Sequence, residues 1–368
     1  MWYKPYGKTG KDVSVIGCGG MRFANPQDVE TNAEIVLHAH ERGINYFDTA
    51  PGYCADKSEA IMAAAFGHMK REEFYVATKS AHANGDALRR QLEASLKRLG
   101  VEAIDFYHIW CVVTLDSWNQ RVKEGAVAAA VKAKEEGLIR HLSVSSHLPG
   151  NELQTLLNEG PFEGVMLGYC AINFPYRRTA LEAAERMGLG VVTMNPLAGG
   201  LIPNNAELFD FIRGPEDSSV VAAALRFNVS HPGITSALVG FTSCEHVEQA
   251  CAAVEHFRPY SPEHVESIRR KIFDGFNDLC TGCGYCMPCP EGINIPQLMD
   301  SYDQVTLSND GDMVHAVNRL KGHWNLPPES AEGCTLCGTC EQQCTQHLPI
   351  RDRLAAIAVY AAKHHNRD

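Results

Sequence analysis

Through the first two-thirds of the chain, short apolar runs alternate with longer stretches whose apolar residues recur at helical spacing. The runs at 14–17, 45–48, 74–78, 105–110, 141–144, 164–169, 191–194 and 237–240 read as strands covered on both faces. The stretches at 28–41, 88–99, 122–136, 179–187, 218–227 and 245–256 read as helices. Gly43, Gly100, Gly137 and Gly188 stand at helix ends, where a residue that tolerates the left-handed conformation closes the last turn. Strands and helices alternating over about 250 residues predict a (β/α)8 TIM barrel, an α/β fold. A doubly wound open sheet shares the rhythm, but no G-x-G-x-x-G opens the first helix. Gly17-Cys18-Gly19-Gly20 instead runs into Met21-Arg22-Phe23, a loop.

The cysteines change the picture of the C-terminus. Eight of the 14 stand in two runs, Cys280-x2-Cys283-x2-Cys286-x2-Cys289-Pro290 and Cys334-x2-Cys337-x2-Cys340-x3-Cys344. Thiolates three residues apart wrap three irons of a [4Fe-4S] cube, and the remaining iron takes a more distant cysteine. Two runs predict two cubes that exchange their last ligand: Cys280, Cys283 and Cys286 with Cys344, and Cys334, Cys337 and Cys340 with Cys289. Zinc is the rival reading, but four ligands satisfy it and a third regularly spaced thiol in each run is then surplus. A disulfide framework needs an oxidising compartment, which nothing in the sequence indicates.

A charged helix opening at Ser261-Pro262-Glu263, a polar helical insert over 296–320 and an amphipathic helix over 350–362 accompany these runs. The predicted organisation is a barrel over 1–258, a connector helix over 259–277 and a small, mainly α-helical ferredoxin-like domain over 278–368. The six other cysteines are scattered singly and read as small apolar residues. Cys54, beside Tyr53, is the one worth testing as a nucleophile.

Composition adds exclusions. With 368 residues, 45% hydrophobic and 21% charged, the chain is that of an ordinary globular protein with a core. A formal net charge of −11 without a Lys/Arg run argues against nucleic acid or an anionic membrane as partner, and suits a basic patch on a redox protein. No apolar stretch is long enough to span a bilayer, and the first residues lack a signal-peptide pattern, so the cytoplasm is the expected location.

In a barrel of this kind, chemistry sits where strands end. Those ends carry Asp48 and, shortly after, Tyr53; then Lys79, Trp110, Ser145, Ser146 and His147. A carboxylate, a phenol and an ammonium converging there make a proton-transfer unit. The ammonium is expected to lower the phenol's pKa while Asp48 keeps Lys79 charged.

Phe47-Asp48-Thr49-Ala50-x-x-Tyr53, Ala77-Thr78-Lys79, Ser143-Val144-Ser145 and Asn195-Pro196-Leu197-Ala198-Gly199-Gly200 resemble the aldo-keto reductase superfamily. The whole chain resembles its branch with a C-terminal 4Fe-4S ferredoxin-like domain. The resemblance implies an oxidoreductase that reduces a small-molecule carbonyl, or oxidises an alcohol, with NADP or NAD. It implies a catalytic set of Asp, Tyr, Lys and His, matched here by Asp48, Tyr53 and Lys79. Trp110 stands in the histidine's place. His108, two residues earlier on the same strand, is either a displaced imidazole or a packed core residue.

Cofactor contacts implied in the same way fall on Ser145, Ser146, Asn195, Leu197, Gly240, Thr242, Ser243 and His246. Ser146 replaces the family's Asn, Met166 its Gln, and His246 is the only candidate cation after the eighth strand. A flavin in the same mouth stays open. So do two further readings: electron transfer to a ferredoxin- or flavodoxin-like partner through the clusters, and a binding protein that has lost the chemistry.

Overall fold

The β-branched and aromatic runs of the first unit, Met1–Ser261, form eight parallel strands that close into a barrel. The structure is a computed structural model; it describes the chain except for residues 113, 149, 276–278, 281–285, 309, 345–347 and 365–368. A two-stranded antiparallel hairpin, β1 (Tyr3–Pro5) and β2 (Asp12–Ser14), precedes the barrel strands. These are β3 (Ile16–Gly19), β4 (Tyr46–Asp48), β5 (Tyr75–Ser80), β6 (Ile104–Val112), β7 (Ile139–Ser146), β8 (Gly164–Gly168), β9 (Gly190–Met194) and β10 (Ser236–Gly240). Each pairs with the next, and β10 pairs with β3 to close the ring.

The hairpin turn seals the floor. Tyr6 is fully buried there against Tyr46, Ala77, Phe106, Met166 and Val192, and its hydroxyl lies 3.0 Å from Ser143 Oγ. It fits only because β8 and β9 begin with glycine. A Cβ at Gly164 or Gly190 would come within 2.1 or 2.2 Å of the Tyr6 side chain.

Around the barrel run α1 (Val29–Glu41), α2 (Ser58–Phe66), α3 (Gly85–Leu99), α4 (Leu115–Lys123), α5 (Ala126–Glu135), α6 (Gly150–Glu159), α7 (Phe174–Met187), the short α8 (Leu201–Asn204), α9 (Val220–Ser230) and α10 (Cys244–Glu255). Side chains of Asp28, Asn84, Thr114, Ser219 and Ser243 accept from first-turn N–H groups of α1, α3, α4, α9 and α10. Gly100 and Gly188, at φ 67° and 69°, end α3 and α7 as the sequence pattern predicts.

Three expectations change. The first barrel strand lies over 16–19, two residues later than its apolar run suggested. The helix expected over 122–136 is two helices, α4 and α5, parted at Gly125, whose φ of 90° no helix interior accepts. The helices α2 and α6 and the β1–β2 hairpin were not foreseen.

The second unit, Pro262–Asp368, is helical. It holds α11 (Pro262–Gly275), α12 (Ile295–Leu307), α13 (Val314–Arg319), the short α14 (Thr339–Gln342) and α15 (Ile350–His364). Ile295, Leu298, Met299, Leu320, Leu354 and Ile357 form its core, with Cys340 inside it. Cys280, Cys286, Cys289, Cys334 and Cys344 pack on that core. No helix among the described residues is long and apolar enough to cross a membrane.

Candidate active site and cluster-binding cysteines

Asp48 closes β4 and Lys79 lies near the end of β5, so both side chains meet at the barrel mouth. Lys79 Nζ contacts the two carboxylate oxygens of Asp48 at 2.5 and 2.6 Å, with both side chains nearly inaccessible to solvent. Burial pulls the pair toward neutrality, raising the Asp48 pKa and lowering that of Lys79, and the contact between them opposes both shifts.

Tyr53 comes from the loop after β4. Directly after it, Cys54, Ala55 and Asp56 take φ of 55°, 52° and 64°. Three left-handed non-glycine residues in succession cost roughly 1 kcal/mol or more each. Hydrogen bonds from Gly52 N to Asp56 Oδ1 (2.9 Å) and between Thr49 and Ser58 hydroxyls (2.7 Å) hold the loop in that form.

Lys79 Nζ sits 5.3 Å from the Tyr53 ring centroid, over its face. The expected lowering of the phenol pKa does not occur. Burial, then the Asp48 charge and Cys111, push it well above 10, and Arg22 is the cation that opposes them. Lys79 stands over the ring with its charge matched by Asp48, so it does not act as a lone ammonium. Tyr53 is therefore a protonated phenol at neutral pH.

Trp110 reaches the same spot through a bulge. The β6–β7 register shifts between Ile109 and Val112, and Cys111 takes φ 56°. Buried Arg121 of α4 braces the bulge, donating to the carbonyls of Trp110 (3.1 Å) and Ala81 (3.2 Å). The Trp110 ring stands edge-on to Tyr53, with centroids 5.4 Å apart. His108 lies inside the barrel, fully buried, paired in register with Lys79, with Nε2 3.4 Å from the Tyr46 hydroxyl. Burial and then the Lys79 charge push its pKa well below 6.5, so the imidazole is neutral.

Arg22, whose charge acts on Tyr53, also borders a cavity of about 410 Å³ lined in part by Asn195, Leu197, Gly240, Thr242 and His246; Asp48, Tyr53, Lys79 and Trp110 are not among its lining residues. Ser243 does not line it but caps α10, its Oγ accepting from His246 N at 3.3 Å. Thr242 Oγ1 and His246 Nδ1 are 2.9 Å apart. Ser145 and Ser146 are buried in β7 away from its lining, and the Ser146 hydroxyl is used within the backbone, donating to Val112 O. Met166 is part of the barrel interior.

The residue that sequence reasoning missed is Arg22. It lines the cavity from the loop after β3, and its stem crosses Gly240 so closely that a Cβ there would meet Arg22 Cγ at 2.7 Å. A guanidinium therefore does stand at this cavity, supplied by the first strand and not the eighth. The signal was available: a cation a few residues beyond a barrel strand belongs to the mouth. Placing that strand at 14–17 hid it.

In the second unit, Cys289, Cys334, Cys337 and Cys340 line one hollow together with Cys286. Thiols around a hollow are a donor set that fits an iron–sulfur cube. Of the other expected set, Cys280, Cys286 and Cys344 share the same core, and Cys283 lies outside the described residues. Both carboxylate oxygens of Asp303 accept from Cys280 N, at 2.9 and 3.0 Å, fixing the start of the first run.

Comparison with known proteins finds relatives of both units. The profile of the aldo/keto reductase family matches residues 15–272, and that of the 4Fe-4S dicluster domain matches residues 279–348. L-galactose dehydrogenase of Arabidopsis thaliana is 27% identical over 278 residues, covering 67% of this chain and 86% of that protein. The NADH-specific methylglyoxal reductase of Escherichia coli K12 is 26% identical over 225 residues, covering 54% and 68%. Among solved structures, the holo form of aldo-keto reductase AKR11C1 from Bacillus halodurans superposes with a TM-score of 0.65 at 24% identity. It covers 73% of this chain and 96% of that one, which speaks for the fold.

Proposed function

Because the chain belongs to the aldo/keto reductase family and carries a 4Fe-4S dicluster domain, we propose that its barrel reduces a small carbonyl compound with NADH or NADPH, or oxidises the corresponding alcohol. One observation carries the reading: the Lys79–Asp48 pair lies against the face of Tyr53, and Arg22, whose charge acts on Tyr53, lines a cavity. When bound, the nicotinamide supplies or accepts a hydride. Tyr53, held protonated by its surroundings, gives its proton to the carbonyl oxygen as negative charge builds there. Lys79 is the ammonium that the resulting phenolate meets, and Asp48 keeps it in place. Trp110 offers an aromatic edge where a histidine would donate, so the oxygen depends on Tyr53. His108, neutral and bonded to Tyr46, packs beneath and does not exchange protons with substrate.

For the dinucleotide, Arg22, the backbone at Gly240 and the Thr242 hydroxyl would hold the phosphates, next to the N-terminus of α10. The similarity to L-galactose dehydrogenase and to methylglyoxal reductase supports small polar carbonyl or alcohol compounds as the substrate class.

Cys289, Cys334, Cys337 and Cys340 would hold one cube, and Cys280, Cys283, Cys286 and Cys344 the other, each a one-electron centre. A second reading follows from that count. A hydride carries two electrons and a cube one, so electron traffic with a ferredoxin- or flavodoxin-like partner calls for a flavin or a radical-tolerant substrate in the barrel. Tyr53→Phe separates the two. It should cut NAD(P)H-dependent carbonyl reduction by roughly 10²–10⁴-fold while leaving cofactor binding intact. Undiminished turnover in that variant would rule out the proton role.

A further inference from the structure

Among the described residues of the second unit, the large apolar side chains left exposed are Met287 (39%), Leu336 (58%) and Val359 (53%). Two of them lie within the cysteine runs. Cys286 and Pro288, on either side of Met287, line the thiol hollow, as do Thr335 and Cys337 on either side of Leu336. Thr335 Oγ1 donates to Glu291 Oε1 at 3.2 Å, joining the two runs at the surface into one patch. Leu336 also holds φ 58°, a left-handed conformation that is unfavourable for leucine.

The charge around the patch has one sign. Arg351 lines the hollow, but Glu341 holds it at 2.6 and 2.7 Å and cancels it. Glu291 and Glu332 are exposed on the same loops. The whole chain stands at −11, and a cube in four thiolates adds to that.

We propose that this patch is the docking surface for a small one-electron carrier protein with a basic face, with Met287 and Leu336 as apolar anchors and Glu291 as the steering charge. The inference rests on the reading that the clusters carry electrons. These thiols would hold a cube that, once reduced, would give a single electron to the docked, oxidised carrier, with no bond formed and no proton moved. A few apolar contacts inside a charged rim suit such brief encounters, which bury little area and rely on electrostatic steering.

The test uses the full-length protein, photoreduced without oxygen and mixed in a stopped-flow instrument with an oxidised basic c-type cytochrome as probe. The second-order rate constant should fall as salt rises. Met287→Gln combined with Leu336→Asn should lower it roughly 10-fold, Asn being chosen because it tolerates positive φ. Glu291→Lys should lower it as well and flatten the salt dependence, and it carries the test if the paired variant loses iron. Val359→Asn, a control away from the cysteine runs, should react like the parent. Iron and sulfide content, and reoxidation by a small neutral quinone, should be the same in all of them. Parental rates with the cytochrome in the paired and Glu291 variants, or a rate indifferent to salt, would overturn the docking surface alone. Clusters that accept no electron on photoreduction would overturn the reading beneath it too.

Discussion

At the scale of single residues, the mouth is governed by how charges are paired. Lys79 is one of the most deeply buried side chains of the barrel, yet Asp48 matches its charge, so it leaves Tyr53 protonated. Arg22 is placed differently, bordering both Tyr53 and the cavity. Arg22→Leu should therefore weaken dinucleotide binding by roughly 10-fold or more, the worth of a charged hydrogen bond, with a smaller effect on kcat. Fluorescence titration with NADH and NADPH measures it, and unchanged affinity for both would remove Arg22 from the site. Asp48, Tyr53 and Lys79 were legible in the sequence because strand ends and spacing fix where they fall. Arg22 was not, because a strand misplaced by two residues moves a loop residue out of the mouth. The position of Trp110 beside Tyr53 was half legible: alternation puts 108 and 110 on one face, and the bulge at Cys111 separates their surroundings.

At the scale of elements, what the periodicity missed has physical reasons. The helix α2, Ser-Glu-Ala-Ile-Met-Ala-Ala-Ala-Phe, is apolar almost all round, so no stripe marks it. The hairpin strands are three residues each, too short for alternation to register. One contact between elements sets a pH limit. Glu163, just before β8, accepts from His141 Nδ1 (3.0 Å), from Leu142 N on β7 (3.3 Å) and from Lys134 of α5. Burial alone would raise its pKa, but the bonds from His141 and Lys134 win and lower it from 4.5 to about 2. A folded-state pKa below the unfolded one means stability that is present above 4.5 and lost as pH falls toward about 2. Glu163→Gln should cost about 2 kcal/mol at pH 7, allowing for solvent screening, and the gap from the parent should close between pH 4.5 and pH 2. Urea unfolding across that range checks it; a gap that persists at the acid end would mean the loss is packing, not charge.

At the scale of the whole molecule, the chain joins an aldo/keto reductase unit to a unit with a 4Fe-4S dicluster domain. Anaerobically isolated protein should contain about eight irons and eight sulfides per chain, with the broad visible absorption of cubes. Changing Cys289 or Cys340 to Ser should halve both counts, by iron and sulfide analysis. Colourless, zinc-loaded material would refute the cluster assignment. The two-unit plan was readable because cysteine spacing and barrel rhythm are both strong repeats. The meeting of Cys280 and Cys286 with Cys344 on one core was less so, since they come from distant stretches of the chain.

The aromatic plug under the barrel has a further effect. With Tyr6 filling the lower end, Tyr46 and His108 are expected to trade protons with bulk water on the side of the barrel that carries Lys79 and Tyr53. A molecule seated in the upper opening should therefore slow the entry of solvent isotope to those inner groups.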